Sequence, residues 1–315
     1  MADDESITPS GDAPDAAPGD AGTVPDPLAI PPQTPLFRAV NLTRYRRQEV
    51  IRHIQDATGR RLVCYVSEYA TLTRDDVLPL MDTLHRVPIG AELDFMLNTP
   101  GGDIDAAVKM AGILRRRVAG TGKFRVIVPD FAKSAGTLIC IGADSIVMSD
   151  TSELGPIDPQ IRISDKGYRP AHSYVDAYDA LVKVIDIPDT YKDGKTADAE
   201  RQLLASFDPA LVDICRQALK RSTQLAESLL KQGMLREGNW TLVAAQLTDN
   251  AKWLTQHSAV IDSDDASSMG LKVDYIPPDT TEWQAYWRLY CEQRLALTPD
   301  SPKLFESDYA SLLMP

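Results

Sequence analysis

Apolar and polar positions alternate along this chain in a way that divides it into short, regular elements. Thr43 to Ala57 has helical spacing, with Thr43 as the expected N-cap and Gly59 as the stop. RLVCYVSEY (61–69) predicts a strand, TRDDVLPLMDTLHRV (73–87) a helix and ELDFMLNTP (92–100) a second strand. DIDAAVKMAGILRRR (103–117) places Ile104, Ala107, Val108, Ala111 and Leu114 on one helical face. FRVIVP (124–129) is a strand, SAGTLICIGA (134–143) a small-residue helix and DSIVMS (144–149) a further strand. Strands alternating with helices imply a parallel sheet covered on both faces.

Beyond Asp158 the alternation stops and helix-forming sequence dominates, as in PALVDICRQALKRSTQLAESLLKQG (209–233) and the segment through Trp253. DDASSMGLKVDYI (264–276) predicts a return to the sheet, with a helix closed by Gly270 and then a short strand. The expected organisation is a disordered Ala/Asp/Gly/Pro-rich arm (1–35), a main domain (36–276, with a helical segment at about 200–255) and a C-terminal helical extension (277–315). In that extension Trp283, Tyr286, Trp287 and Tyr290 form an aromatic cluster, read as packing on the core or on a neighbouring subunit rather than as a ligand cage.

Composition narrows the function classes. A hydrophobic content of 43% in 315 residues supplies an ordinary core. The net charge of −12 opposes the phosphate neutralisation on which nucleic-acid binding depends. Cys64, Cys140, Cys215 and Cys291 are far apart and read as free thiols in a reducing compartment. The acidic start, MADDES, does not resemble a signal peptide and no apolar run reaches the length of a membrane span, which points to the cytoplasm. No Walker loop, GxGxxG turn or His/Cys cluster calls for a nucleotide, redox cofactor or metal.

Two segments carry chemistry. In LNTPGGD (97–103) a strand ends in Pro-Gly-Gly just before a helix, and adjacent glycines leave amide N–H groups open to a ligand or a developing oxyanion. In PDFAKSAGTLICIGADSIVMS (129–149), Ser134 stands at the first turn of a helix, where free N–H groups and the helix dipole favour negative charge. Each alone is more often only a turn or a cap, so the two are weighed together.

Taken in order, LNTPGGDIDAA, AKSAGTLICIGAD and IVMSDTSELGPIDPQ resemble the Clp-fold serine peptidases, and most closely the serine dehydrogenase proteinases. The resemblance implies a Clp/crotonase-like α/β fold, with Ser134 as nucleophile and an oxyanion hole of the N–H groups of Gly101 or Gly102 and of Ala135. It also implies a peptide or unfolded-protein substrate lying along a sheet edge, a homo-oligomer built as rings or trimers, and any ATP-driven unfoldase as a separate protein.

One departure bears on the base. Where Clp peptidases carry a triad histidine before Gln-Pro, this chain reads LGPIDPQ, with Asp158 in that place. An ordinary carboxylate is a poor base toward a serine hydroxyl. Related signal-peptide peptidases use a Ser-Lys dyad, which makes Lys166, Lys183, Lys192 and Lys195 candidates. Lys183 is preferred, since it lies in an apolar helix whose partial burial would lower its proton affinity. His172 is the rival base, His257 stays open, and His53 and His85 read as surface residues. Asp158 is expected to bond the turn's amides or to orient a lysine ammonium, and Lys133 to point away from its neighbour Ser134. The leading reading is peptide hydrolysis through an acyl-enzyme. The alternatives are a catalytically weak Clp-fold peptide-binding scaffold and a crotonase-like acyl-CoA enzyme.

Overall fold

The computed structural model describes residues 34–162, 167–185, 194–249 and 259–315. The chain divides into two compact units, Met1–Asn41 and Leu42–Pro315. Within the described part of the first, α1 (Pro35–Val40) is capped by Thr34, whose Oγ1 accepts from the Phe37 N–H. The remainder of the arm lies outside the described residues.

The second unit is built on a seven-stranded sheet. Five strands run parallel, β1 (Arg61–Ser67), β2 (Leu93–Asn98), β3 (Phe124–Ile127), β5 (Ser145–Met148) and β9 (Val273–Tyr275), and two are added antiparallel at the β1 edge, β10 (Lys303–Glu306) and β11 (Ser311–Met314). The spatial order is β11-β10-β1-β2-β3-β5-β9. Two small pairs stand apart: β4 (Phe131–Ala132) with β6 (Glu153–Leu154), and the hairpin β7 (Gln160–Arg162) with β8 (Tyr168–Pro170).

Helices cover both faces, as the buried apolar runs of parallel strands require. One face carries α3 (Val77–Thr83), α4 (Ile104–Arg117), α5 (Ala135–Ile141), α8 (Pro209–Gln232), α9 (Trp240–Leu247) and α10 (Ser263–Ser268), with Val63, Tyr65, Phe95 and Leu97 of the sheet in their core. The opposite face carries α2 (Leu42–Thr58) and α11 (Thr281–Arg294), packed on Leu62, Cys64, Val66 and Met96. Helices α6 (Ala171–Ile185) and α7 (Gly194–Ala205) complete the set; Ala171, Val175 and Cys215 form a satellite core between α6 and α8.

Residues 277–315 are therefore part of the domain's layers. Trp283, Tyr286 and Tyr290 are buried in the second core, and β10 pairs with β1. The strands β10 and β11 depart from the helical character expected of this tail. Their signal is weak because β10 buries two charges: Lys303 pairs with Asp76 at 2.9 Å, and Glu306 receives two guanidinium nitrogens of Arg47 at 2.9 Å. A run of the form KLFE has no apolar alternation to read, and its burial depends on partners far away in sequence. Asp94, buried within β2, is matched in the same way by Arg60, Arg125 and the Tyr286 hydroxyl.

Candidate active site

The site lies beyond the carboxyl ends of β1, β2 and β3, where open α/β sheets gather their functional loops. After β2 the chain turns through Gly101 (φ 99°) and Gly102 (φ 145°), then enters α4 with Asp103 as its N-cap. Close approach demands both glycines. A Cβ on Gly101 would lie 2.8 Å from the Lys133 carbonyl oxygen and 3.1 Å from Ser134 Cβ; one on Gly102 would lie 2.3 Å from the Leu72 oxygen. The turn is stitched to the β1–α3 loop by Leu72 N–H to Gly101 O (2.7 Å) and Asp103 N–H to Leu72 O (2.9 Å).

After β3 the chain passes through β4 and reverses into α5 at Ser134. Ser134 has φ 48° and ψ −107°, and among the described residues it alone combines a side chain with a positive φ. Such a conformation costs on the order of 1–3 kcal/mol and persists only where the surroundings over-determine it. Here they do. Lys133 N–H donates to Thr99 O (3.0 Å), Gly136 N–H to Lys133 O (2.7 Å) and Leu138 N–H to Ser134 O (3.1 Å). The small residues of α5 are needed for the same contact, since a Cβ on Gly136 would come within 2.6 Å of Thr99 Cγ2. The Ser134 hydroxyl makes no capping bond to its own helix. The turn is a sharp strand-to-helix reversal that sets Ser134 against the Gly-Gly turn.

Two backbone donors flank it. Among the described residues, the N–H groups of Gly102 and of Ala135, the first residue of α5, have no acceptor, whereas the Gly101 N–H is taken by Thr99 Oγ1 at 3.2 Å. Ser134 and Gly102 line a cavity of about 720 Å³ together with Leu72, Asp158, Gln160 and Ile161. A larger cavity of about 860 Å³ opens at the opposite end of the sheet, beside Arg60, Lys123 and Ser145, where Arg60 and Arg125 are committed to Asp94.

Asp158 stands in the cavity wall, 6% exposed, on the Gly-Pro-Ile-Asp-Pro segment. Its Oδ1 is 3.1 Å from His172 Nδ1, and its Oδ2 accepts from Gln160 Nε2 at 2.9 Å. The β7–β8 hairpin makes this pairing: Gln160 is in register with Pro170, and Ala171 N–H donates to Pro159 O at 2.8 Å, so the chain returns to Asp158 just as α6 begins. A proton on Nδ1 directed at the carboxylate leaves Nε2 as the ring's acceptor nitrogen, and Nε2 lies 3.4 Å from the Ser173 hydroxyl.

Lys183 sits elsewhere. On α6 the buried Ala171 and Val175 face inward, while Ser173, Asp176, Ala180 and Lys183 form the exposed stripe. The partial burial expected of Lys183 is absent because the helix is amphipathic and Lys183 falls on its exposed face. Lys166, Lys192 and His257 lie outside the described residues, and only the backbone of Lys195 is described, in α7. His53 and His85 are exposed. Lys133 turns its ammonium away to Leu154 O (3.1 Å), Ala259 O (3.2 Å) and Glu153 (3.1 Å), and burial lowers its proton affinity below the ordinary lysine range despite that carboxylate. The thiols of Cys64 and Cys140 are pushed up by complete burial and stay protonated. Gln160 and the backbone strain at Ser134 were not read from the sequence, because φ and side-chain pairing here are set by contacts between distant segments.

Residues 35–293 match the family described as ClpP-like SDH-type serine proteinase. The chain is 30% identical over 227 residues to the uncharacterized protein MJ0137 of Methanocaldococcus jannaschii, covering 72% of this chain and 68% of that one. It is 29% identical over 204 residues to the uncharacterized protein MJ1495 of the same organism, covering 60% and 61%. Among solved structures it resembles a mutant of the 1510-N membrane-bound stomatin-specific protease in complex with a substrate peptide, with a TM-score of 0.34 and 15% identity over 64% of this chain and 67% of that one. With most of its length matched, the chain belongs to the ClpP-like SDH-type serine proteinase family.

Proposed function

We propose that the protein is a serine endopeptidase in which Ser134 attacks the scissile carbonyl, His172 takes the serine proton, and Asp158 orients and stabilises the imidazolium that forms. The N–H groups of Gly102 and Ala135 receive the oxyanion. The imidazolium gives that proton to the leaving amine as the C–N bond breaks; water, giving its proton to His172 in turn, then attacks the acyl-enzyme, and the carboxylic acid departs as Ser134 recovers its proton. The observation that carries the reading is the backbone of Ser134, held at φ 48° against the Gly-Gly turn with two unoccupied donors beside it. A helix-capping serine needs no such strain.

What supports His172 over Lys183 is position. His172 is paired with a buried carboxylate that lines the same cavity as Ser134, while Lys183 is exposed on the outer stripe of α6. In chain order the acid precedes the histidine, as it does in α/β-hydrolases. The reading carries with it an extended peptide as substrate and closed assembly of the chain, which sedimentation of the purified protein checks.

Labelling by a fluorophosphonate, which reacts with activated serines, tests the assignment. Wild type labels, Ser134→Ala and His172→Ala do not, and Lys183→Ala labels at the wild-type rate, with circular dichroism confirming that each is folded. Loss of labelling in Lys183→Ala with retention in His172→Ala would give the base to the lysine. A folded wild type that never labels would favour a peptide-binding scaffold.

A further inference from the structure

The Asp158 carboxylate is held at both oxygens, Oδ1 by His172 and Oδ2 by Gln160. A carboxylate bonded at one oxygen still turns readily about its last torsion, whose energy profile is broad and two-fold. A donor on the second oxygen removes that freedom and fixes the plane in which the first meets the imidazole. We propose that Gln160 is a positioning residue: its carboxamide locks Asp158, and through Asp158 the ring of His172, in the orientation that proton transfer from Ser134 requires. The inference rests on the reading of Ser134, His172 and Asp158 given above.

Three features favour this role over simple wall-filling. The contact is short, 2.9 Å, and charge-assisted, because a carboxylate accepts and Nε2 only donates. Gln160 opens β7 in register with Pro170, so the strand that presents its side chain also brings back the segment carrying His172. The side-chain chemistry is specific as well. Glutamate in this place would set one carboxylate against another, and an apolar residue of the same size would leave Oδ2 without this partner.

Saturation kinetics of fluorophosphonate labelling on the full chain separate the possibilities, since the maximal rate reports the activation of Ser134 and the half-saturating concentration reports binding. Gln160→Met keeps the bulk and removes the donor; Gln160→Ala removes both. The expected result is a maximal rate about tenfold lower in both variants with half-saturation unchanged, and a larger loss in Gln160→Glu. A wild-type rate in Gln160→Met, or a change confined to half-saturation, would overturn the inference. Asp158→Asn and His172→Ala run alongside. If those two lose labelling while Gln160→Met keeps it, the positioning role alone falls; if they also label as wild type, the reading of the site fails and takes this role with it.

Discussion

Ser134 is held in a conformation that glycine would adopt without strain. Ser134→Gly should therefore raise stability by about 1 kcal/mol, the relief of strain outweighing the added chain entropy, while abolishing labelling. A shifted urea midpoint with unchanged slope is the measurement, and Ser134→Ala, which keeps the strain, should show no such gain. Gly101→Ala should do the reverse. Its Cβ would meet the Lys133 carbonyl at 2.8 Å, force the serine turn aside, and cost about 1–3 kcal/mol together with most of the labelling, although no group that reacts has been altered. The positions of both turns were legible because Pro-Gly-Gly and Ser-Ala-Gly are local signals at strand ends. The left-handed φ of Ser134 was not, since it follows from hydrogen bonds among the segments around residues 99, 133 and 136.

At the level of elements, the alternating part of the fold was readable almost to the residue: β1 to β3, α4 and α5 each fall within the run that predicts them. The hairpin that brings His172 to Asp158 was invisible, because QIR and YRP are three-residue strands without alternation and the second ends in proline. The helix holding Lys183 was legible too, but its solvent face was decided by packing against α8, which the apolar content of the segment does not reveal. Lys133 ties β6 to the segment at Ala259, so Lys133→Met should cost about 1–3 kcal/mol by leaving the Leu154 and Ala259 carbonyls without this donor. Its lowered proton affinity also fixes a sign. Between its folded value and the ordinary lysine value the unfolded chain binds the proton more tightly, so wild-type stability rises with pH through that alkaline window and the contribution is lost as pH falls through the folded value. Denaturation curves across the window should show a shallower rise in Lys133→Met.

On the scale of the whole molecule, two buried ion pairs join the C-terminal segment to the rest: Arg47 with Glu306, and Asp76 with Lys303. Breaking the first as Arg47→Met leaves a carboxylate buried in a seven-stranded sheet and should cost about 3–5 kcal/mol in thermal or chemical unfolding. Removal of residues 277–315 should be worse. It uncovers Leu62, Cys64 and Val66 on one face of β1 and strips both charged partners, so the shortened chain is expected to lack a cooperative unfolding transition. The resulting scaffold sets the Gly-Gly turn, the serine turn and the Asp158 segment around one cavity at the carboxyl ends of its strands. The most direct test of this account is to react the folded wild-type chain with a fluorophosphonate, measure its intact mass and map the adduct by peptide sequencing. One phosphonyl group per chain, located on Ser134 and lost in His172→Ala, is the predicted result; an unmodified chain, or an adduct on any other residue, would contradict it.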